Sequence, residues 1–375
     1  MLELKSNDSK KLRNQNKVLN YKDTYFSTIN DGKNVGKFIE FHPSDICNFN
    51  CSFCSYKKSN SLSGNRVIYP FDQLDKLRML DPKAITIVGG GEPTLYYDKE
   101  NRKNFGDLVQ YLSEHTNAKL GLITNGSTII KKETLNKFEW LRISLDYTNP
   151  TSYLKSKGYT LKKVLEKIDN QFLKSDVSKI GIGYLINNEN LEEIYDLLKY
   201  FKQTRVNIQF RKTCPIESCD CPLLQVEDKE DEVNTNDLSI YFFETMKKLE
   251  EIICKEPDLE KFVKEQTNLG DYFKKTKQPK EITAKKCYTS LFRWIVRPEG
   301  SVFPCVMCAT QNNKKIGSIF EDSLKVLQEE SFKFYHYEKC TINDCCKIGQ
   351  GVQNDIFEQS LDSNEIQYES NDFFI

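Results

Sequence analysis

The chain has 375 residues, enough for one large α/β domain with a smaller appendage, or for a single barrel with insertions. Lys plus Arg and Asp plus Glu both number 54, a balance that leaves no electrostatic footprint for nucleic acid or an anionic membrane. The first residues lack an apolar signal core and no stretch approaches a membrane span, so the 13 cysteines read as metal ligands of a cytoplasmic protein rather than as disulfides.

An N-terminal extension, 1–36, precedes an alternation of short apolar runs and helical patterns over 37–212. Strands are expected at 38–41, 84–88, 120–124, 141–145, 179–185 and 206–210, each rich in Ile, Val, Leu or Phe as a strand buried on both faces requires. Helices are expected at 71–80, 105–115, 132–138, 161–174 and 191–202, the last with Asn190 as its N-cap ahead of two acids. Six βα units with right-handed crossovers make a parallel sheet that curls without closing, a partial (β/α)6 TIM-type barrel. In such sheets the chemistry sits at the carboxyl ends of the strands.

Strand one is followed by Cys47-x3-Cys51-x2-Cys54. Thiolates at this spacing can cover one face of a [4Fe–4S] cube, and three ligands leave one iron open, the mark of a reactive rather than a structural site. A zinc knot would usually show a second Cys/His pair, and none lies near Cys54. After strand two comes Gly89-Gly90-Gly91-Glu92-Pro93-Thr94, a glycine run with a carboxylate beside it that can accept from an ammonium group. Together these motifs resemble the radical SAM superfamily. The resemblance implies a catalytic cluster on Cys47, Cys51 and Cys54, with S-adenosylmethionine (SAM) bound at the open iron. Reductive cleavage of SAM would yield a 5′-deoxyadenosyl radical that takes a hydrogen atom from substrate. It further implies that Gly89, Gly90, Gly91 and Glu92 hold the SAM amino group and that Phe53 lies against the adenine.

Asn125 at the end of strand three, and Ser144 and Asp146 at strand four, resemble family positions near the ribose or substrate; a capping Ser and a turn Asp are equally available readings. Asn187 to Asn190 either belong to the site or cap the next helix. Arg211-Lys212 could hold a carboxylate or phosphate, or stand in solvent.

Residues 213–285 read as linker and helical insertion. Cys214, Cys219 and Cys221 have a metal-like but undiagnostic spacing. Leu238, Phe242, Met246, Leu249 and Ile253 recur as one buried helical face, and Cys254 reads as a packed apolar residue. In 286–350, Cys287-x12-Gly300-x4-Cys305 encloses a hairpin pattern turning at Pro298-Glu299-Gly300, which would bring its two cysteines together. This segment resembles the SPASM and Twitch auxiliary-cluster domains. It departs from the fuller pattern, because only Cys308, Cys340, Cys345 and Cys346 follow. The expectation is therefore one auxiliary [4Fe–4S] cluster on Cys287, Cys305, Cys340 and Cys345 or Cys346. Cys308 is a spare candidate, and a second cluster is an alternative. The acidic tail, 351–375, either hangs in solvent or folds back over the barrel mouth.

The resemblance thus predicts oxidation or rearrangement of a small molecule of sugar or nucleotide type, with electrons from an external donor such as flavodoxin or ferredoxin. The 36 residues before strand one are too few for an independent leader-peptide domain, which disfavours, without removing, a maturase of a ribosomal peptide or protein. Outside enzymology, an iron–sulfur electron carrier or a zinc-binding protein remains.

Overall fold

The computed structural model describes residues 15–31, 35–56, 67–212, 235–273, 282–339 and 350–362. Six parallel strands follow one another across the sheet: β1 (Phe38–Phe41), β2 (Ala84–Ile87), β5 (Lys119–Thr124), β6 (Trp140–Ser144), β7 (Lys179–Ile186) and β8 (Val206–Lys212). A small antiparallel ribbon, β3 (Tyr97–Asp98) with β4 (Lys103–Asn104), lies apart from it. Odd and even positions divide the main strands into two faces. Ile39, Phe41, Ile85, Ile87, Leu122, Leu141 and Ile143 are fully buried on the apolar face. On the other face Glu40, Thr86, Gly121 and Trp140 share one row across β1, β2, β5 and β6. This second face, the barrel lumen, carries polar groups further along in Arg142, Gln209 and Arg211, with Arg142 donating to Gln209.

The expected six-unit barrel is present, and its first edge is extended. Among the described residues the order is β11-β10-β9-β1-β2-β5-β6-β7-β8. Strand β9 (Arg293–Val296) pairs parallel with β1, turns through Gly300, and returns as β10 (Ser301–Phe303) beside β11 (Gly317–Ser318). The hairpin expected as the start of a separate appendage therefore continues the barrel sheet. Arg293 on β9 is ion-paired to Glu40 on β1. Burial alone would raise Glu40, but the adjacent Arg293 and His42 hold it down at about 2. Gly300, at φ +84, lies under the Phe320 ring, where a Cβ would come within 2.3 Å. The motif glycine is needed for that turn and that packing.

Helix ends follow local chemistry. Asn104 and Asp107 form a capping box for Phe105–His115, and Asn149 caps Pro150–Lys157, which ends at the left-handed Gly158. Four expected helices are shorter or broken, 161–174 being an α-helix over Leu161–Lys167 that runs into a π-helical turn at Ile168–Phe172. Residues 71–80 are a 3-10 turn and Leu74–Arg78, 132–138 shrinks to Lys132–Leu135, and 191–202 begins as a 3-10 turn before Ile194–Phe201. Asn190 makes no capping bond. Its amide instead donates to the carbonyls of Asp146 and Leu185, both at 2.6 Å, bracing the ends of β6 and β7.

Residues of the N-terminal extension form Gln15–Tyr21 and Lys22–Asp31. Tyr21 stacks on Phe292, and Tyr25 meets Tyr288 and Phe357 edge-on. The helix Gln350–Asp362 runs across the boundary expected at 350, and Asp355 accepts from the amides of Thr283 and Ala284. In the helix Thr235–Ile253, Phe242, Met246, Leu249 and Ile253 are buried as expected. Cys254 departs from expectation and is exposed, because the helix ends at Ile253 and the next position rotates off the buried stripe. No helix among the described residues is long and apolar enough to cross a membrane.

Candidate active site

Beyond β1 the chain enters the cysteine loop, and three neighbours hold it. The amide of Asn50 donates to the Lys157 carbonyl (3.0 Å) and that of Ser52 to the Ser156 carbonyl (2.9 Å), docking the loop on the last turn of the helix Pro150–Lys157. The Asn125 amide donates to Asn48 Oδ1 (3.0 Å), and Asn48 Nδ2 donates to Ser127 Oγ (2.9 Å). Glu92 N–H donates to the Ile46 carbonyl (2.8 Å). Phe49 anchors the loop from within, stacked on Tyr159 at 4.6 Å.

Cys47 and Cys54 are exposed and Cys51 is half-buried. Although Cys47 is exposed as a residue, the protein packed around its sulfur raises the thiol, with the neighbouring Glu92 carboxylate adding to the effect. Burial pushes Cys51 up to about 12, assisted by Cys54, Asp146 and Cys47 against the opposing Lys157. Phe49 N–H already donates to Cys47 Sγ (3.4 Å), the kind of bond that stabilises a ligating thiolate. Among the described residues no group of three or more His, Cys, Asp or Glu side chains converges on a single ion. The donor set suits a cluster that offers a separate iron to each thiolate.

Glu92 is buried and its carboxylate meets four protein donors. Oε1 accepts from Thr124 Oγ1 (2.6 Å), Thr94 Oγ1 (2.5 Å) and Thr94 N (3.2 Å), and Oε2 accepts from Asn125 N (2.7 Å). Burial raises this carboxyl, and the same bonds oppose the rise. Glu92 thus ties the glycine loop after β2 to the end of β5. Gly91 has a matching role. A Cβ there would stand 2.3 Å from the Ile46 carbonyl oxygen, so the glycine admits the cysteine loop's backbone.

Asp146 has a left-handed backbone, φ +61, and faces inward. Its carboxylate is ion-paired to Lys157, both side chains being at most 3% exposed, and accepts from Leu185 N (2.8 Å). Burial would lower Lys157, but Asp146 and Cys51 outweigh it and keep the ammonium charged. Lys157 also donates to the Ser144 carbonyl (3.3 Å) and lies 5.3 Å from the centre of the half-buried Phe53 ring. Asp146 is thus directed to the cation beneath the cysteine loop, and Ser144 is half-buried beside it. Lys157 escaped the sequence reading. Only the unread helix start at Asn149-Pro150 and its Gly158 stop could have pointed to a basic residue at that helix end.

Cys287 and Cys305 flank the β9–β10 hairpin. Cys287 is buried, which raises its thiol; its Sγ is 3.6 Å from both Thr289 Oγ1 and Asn354 Nδ2, and Cys305 acts on it electrostatically. Cys305 Sγ lies 3.5 Å from Cys308 Sγ. The bond to Cys308 lowers Cys305 to about 7 against the effect of burial, aided by the amides of Cys308 and Met307 and by Arg293. Cys340, Cys345 and Cys346, with Cys214, Cys219 and Cys221, lie outside the described residues, as does the tail from 363.

A family model described as the Radical SAM superfamily matches residues 41–201. A GTP 3',8-cyclase of Helicobacter pylori (strain HPAG1) is 28% identical over 189 residues, covering 46% of this chain and 54% of its own. The UPF0026 protein slr1464 of Synechocystis is 27% identical, over 45% of this chain and 67% of its own. The chain thus spans about half the length of the cyclases it matches. Among solved structures, Streptococcus suis SuiB bound to precursor peptide SuiA superposes with a TM-score of 0.58 at 15% identity, covering 90% of this chain and 77% of its own. The anSMEcpe structure with bound AdoMet gives 0.53 at 17% identity, over 87% and 96%. At these identities the structures share the fold. The matched region holds the cysteine loop, Glu92 and Asp146, so residues 41–201 carry a radical SAM superfamily domain.

Proposed function

We propose that this protein is a SAM-cleaving enzyme whose [4Fe–4S] cluster is held by Cys47, Cys51 and Cys54. The observation that carries the reading is that the Cys47–Cys54 loop, the Glu92-braced glycine loop and Asn125 follow β1, β2 and β5 at the carboxyl ends of adjacent strands and are hydrogen-bonded to one another. The family implies both a cluster and SAM, and the chemistry they supply when bound is a carbon radical able to take a hydrogen atom from substrate.

The protein's own part is position and exclusion. Gly89, Gly90 and Gly91 receive the SAM ammonium group, with Glu92 keeping the loop in shape. Phe53, Asn125 and Ser144 border the nucleoside. Lys157, paired to Asp146, fixes the floor beneath Cys51. Cys287 and Cys305, with Cys340 and Cys345 or Cys346, hold one auxiliary cluster in a SPASM/Twitch-like segment. Electrons come from an external donor of the flavodoxin or ferredoxin kind.

The substrate we favour is a polar small molecule of sugar or nucleotide type. The lumen face carries Glu40, Thr86, Arg142, Gln209 and Arg211, which suits such a molecule, and the cyclase relatives act on a nucleotide by name. A peptide substrate is the second reading, supported by the neighbour solved with its precursor peptide.

Iron and sulfide per chain after anaerobic reconstitution, in the native protein and in Cys47→Ala/Cys51→Ala/Cys54→Ala, test this. Loss of one cube with retention of another is expected, together with 5′-deoxyadenosine formation by the native protein alone. Zinc in place of iron in both proteins refutes the reading.

A further inference from the structure

Cys305 and Cys308 stand at the two ends of one tight turn, and the cluster reading uses only the first. Cys305 is the N-cap of the short helix Val306–Gln311, with extended backbone at φ −161 and ψ 164, and Cys308 follows in its first turn. The two sulfurs lie 3.5 Å apart, and Cys308 N–H donates to Cys305 Sγ at 3.4 Å. Cys305 is half-buried, whereas Cys308 is 5% exposed. Among the described residues Cys287 is held by Thr289 and Asn354.

We propose that Cys305 and Cys308 form a reversible disulfide. The oxidant is a low-molecular-weight disulfide such as oxidised glutathione. The more accessible Cys305 attacks one of its sulfurs, forming a mixed disulfide and releasing one thiol. Cys308, already in contact, displaces the second thiol and closes the intramolecular bond. The protein gives up two electrons and two protons, and both protons leave on the two small thiols. Cys-x-x-Cys pairs at a helix start are suited to this exchange because amide donors stabilise the first sulfur as attacking and leaving group. A consequence, which rests on the auxiliary-cluster reading, is that the oxidised protein cannot offer Cys305 as a ligand and the segment does not reload with metal until it is reduced.

The test uses the full chain purified without iron, exposed anaerobically to oxidised glutathione, alkylated and mapped by mass spectrometry. The expected result is joint loss of alkylation at Cys305 and Cys308, an internal disulfide in that peptide, and recovery of both thiols with dithiothreitol. Cys308→Ser, checked for native circular dichroism, should leave a stable glutathione adduct on Cys305. Full alkylation of both residues after exposure, or a bond from Cys305 to Cys287, overturns the proposal. In protein loaded with iron and sulfide before oxidation, protection of Cys305 is expected. Equal disulfide yield there would remove Cys305 from the cluster and leave the disulfide standing.

Discussion

Replacement of Lys157 by Met isolates what the buried ion pair contributes to the cysteine loop. The Lys157 and Asp146 side chains are 2% and 3% exposed, so neither charge is shared with water. After the substitution Asp146 keeps, among the described residues, the Leu185 amide (2.8 Å) as its side-chain partner, and the Ser144 carbonyl loses its ammonium donor. Stranding a buried charge costs about 3–5 kcal/mol, a large share of a domain stability of about 5–15 kcal/mol. The double variant Lys157→Met/Asp146→Asn removes both charges and should recover most of that loss, since a neutral pair of similar volume is tolerated. Denaturant unfolding followed by circular dichroism reads the stabilities, and iron per chain reads the loop. The backbone carbonyls that clamp Asn50 and Ser52 persist in both variants, so the double variant should also regain iron. A single variant within about 1 kcal/mol of native, the level of an exposed pair, would refute the reasoning. So would a double variant no more stable than the single.

Gly91→Ala places a methyl 2.3 Å from the Ile46 carbonyl oxygen. It should cost about 1–3 kcal/mol as an overpacking change and reduce iron retention, measured by unfolding and metal analysis; native iron content would contradict it. Glu92→Gln turns an acceptor facing the Asn125 amide into a donor or vacates one of the threonine bonds. A loss of about 1–3 kcal/mol is expected, with Glu92→Ala at least as damaging, by the same unfolding assay. For Glu40, a fall from its ordinary 4.5 to about 2 corresponds to about 3 kcal/mol at neutral pH, at about 1.4 kcal/mol per pH unit. Because the folded-state value is depressed, that stability is present above about pH 4.5 and is lost as the pH falls toward 2. The advantage of the native protein over Glu40→Gln should shrink across that window and nowhere else, as urea titrations at several pH values would show.

Much of the barrel is legible in the chain because parallel strands buried on both faces leave short, near-continuous apolar runs such as Ala84–Ile87 and Lys179–Ile186. The site loops are legible for a related reason: the cysteines and glycines sit where each strand ends, and βα topology places all strand ends together. Helix lengths were harder. The shortened 71–80 and 132–138 have amphipathic patterns that do not reveal where tertiary contacts stop them. The intended partners of Glu92 and Asp146 were also hidden. A carboxylate in a motif shows its charge, whereas its distant donors (Thr124 and Asn125 for one, Lys157 and Leu185 for the other) arrive from other elements.

Local pattern alone determined the six βα units, the three-cysteine loop after the first strand, the glycine turn after the second and the hairpin between Cys287 and Cys305. Each is set by residue types close together along the chain. Tertiary structure alone decided that β9 pairs with β1 and is joined to it by Glu40–Arg293, that Lys157 lies beneath Cys51, and that Cys308 meets Cys305. The reason is physical. Periodicity and spacing record which face a residue presents, while a parallel pairing or a buried ion pair depends on a partner that no fixed sequence interval predicts.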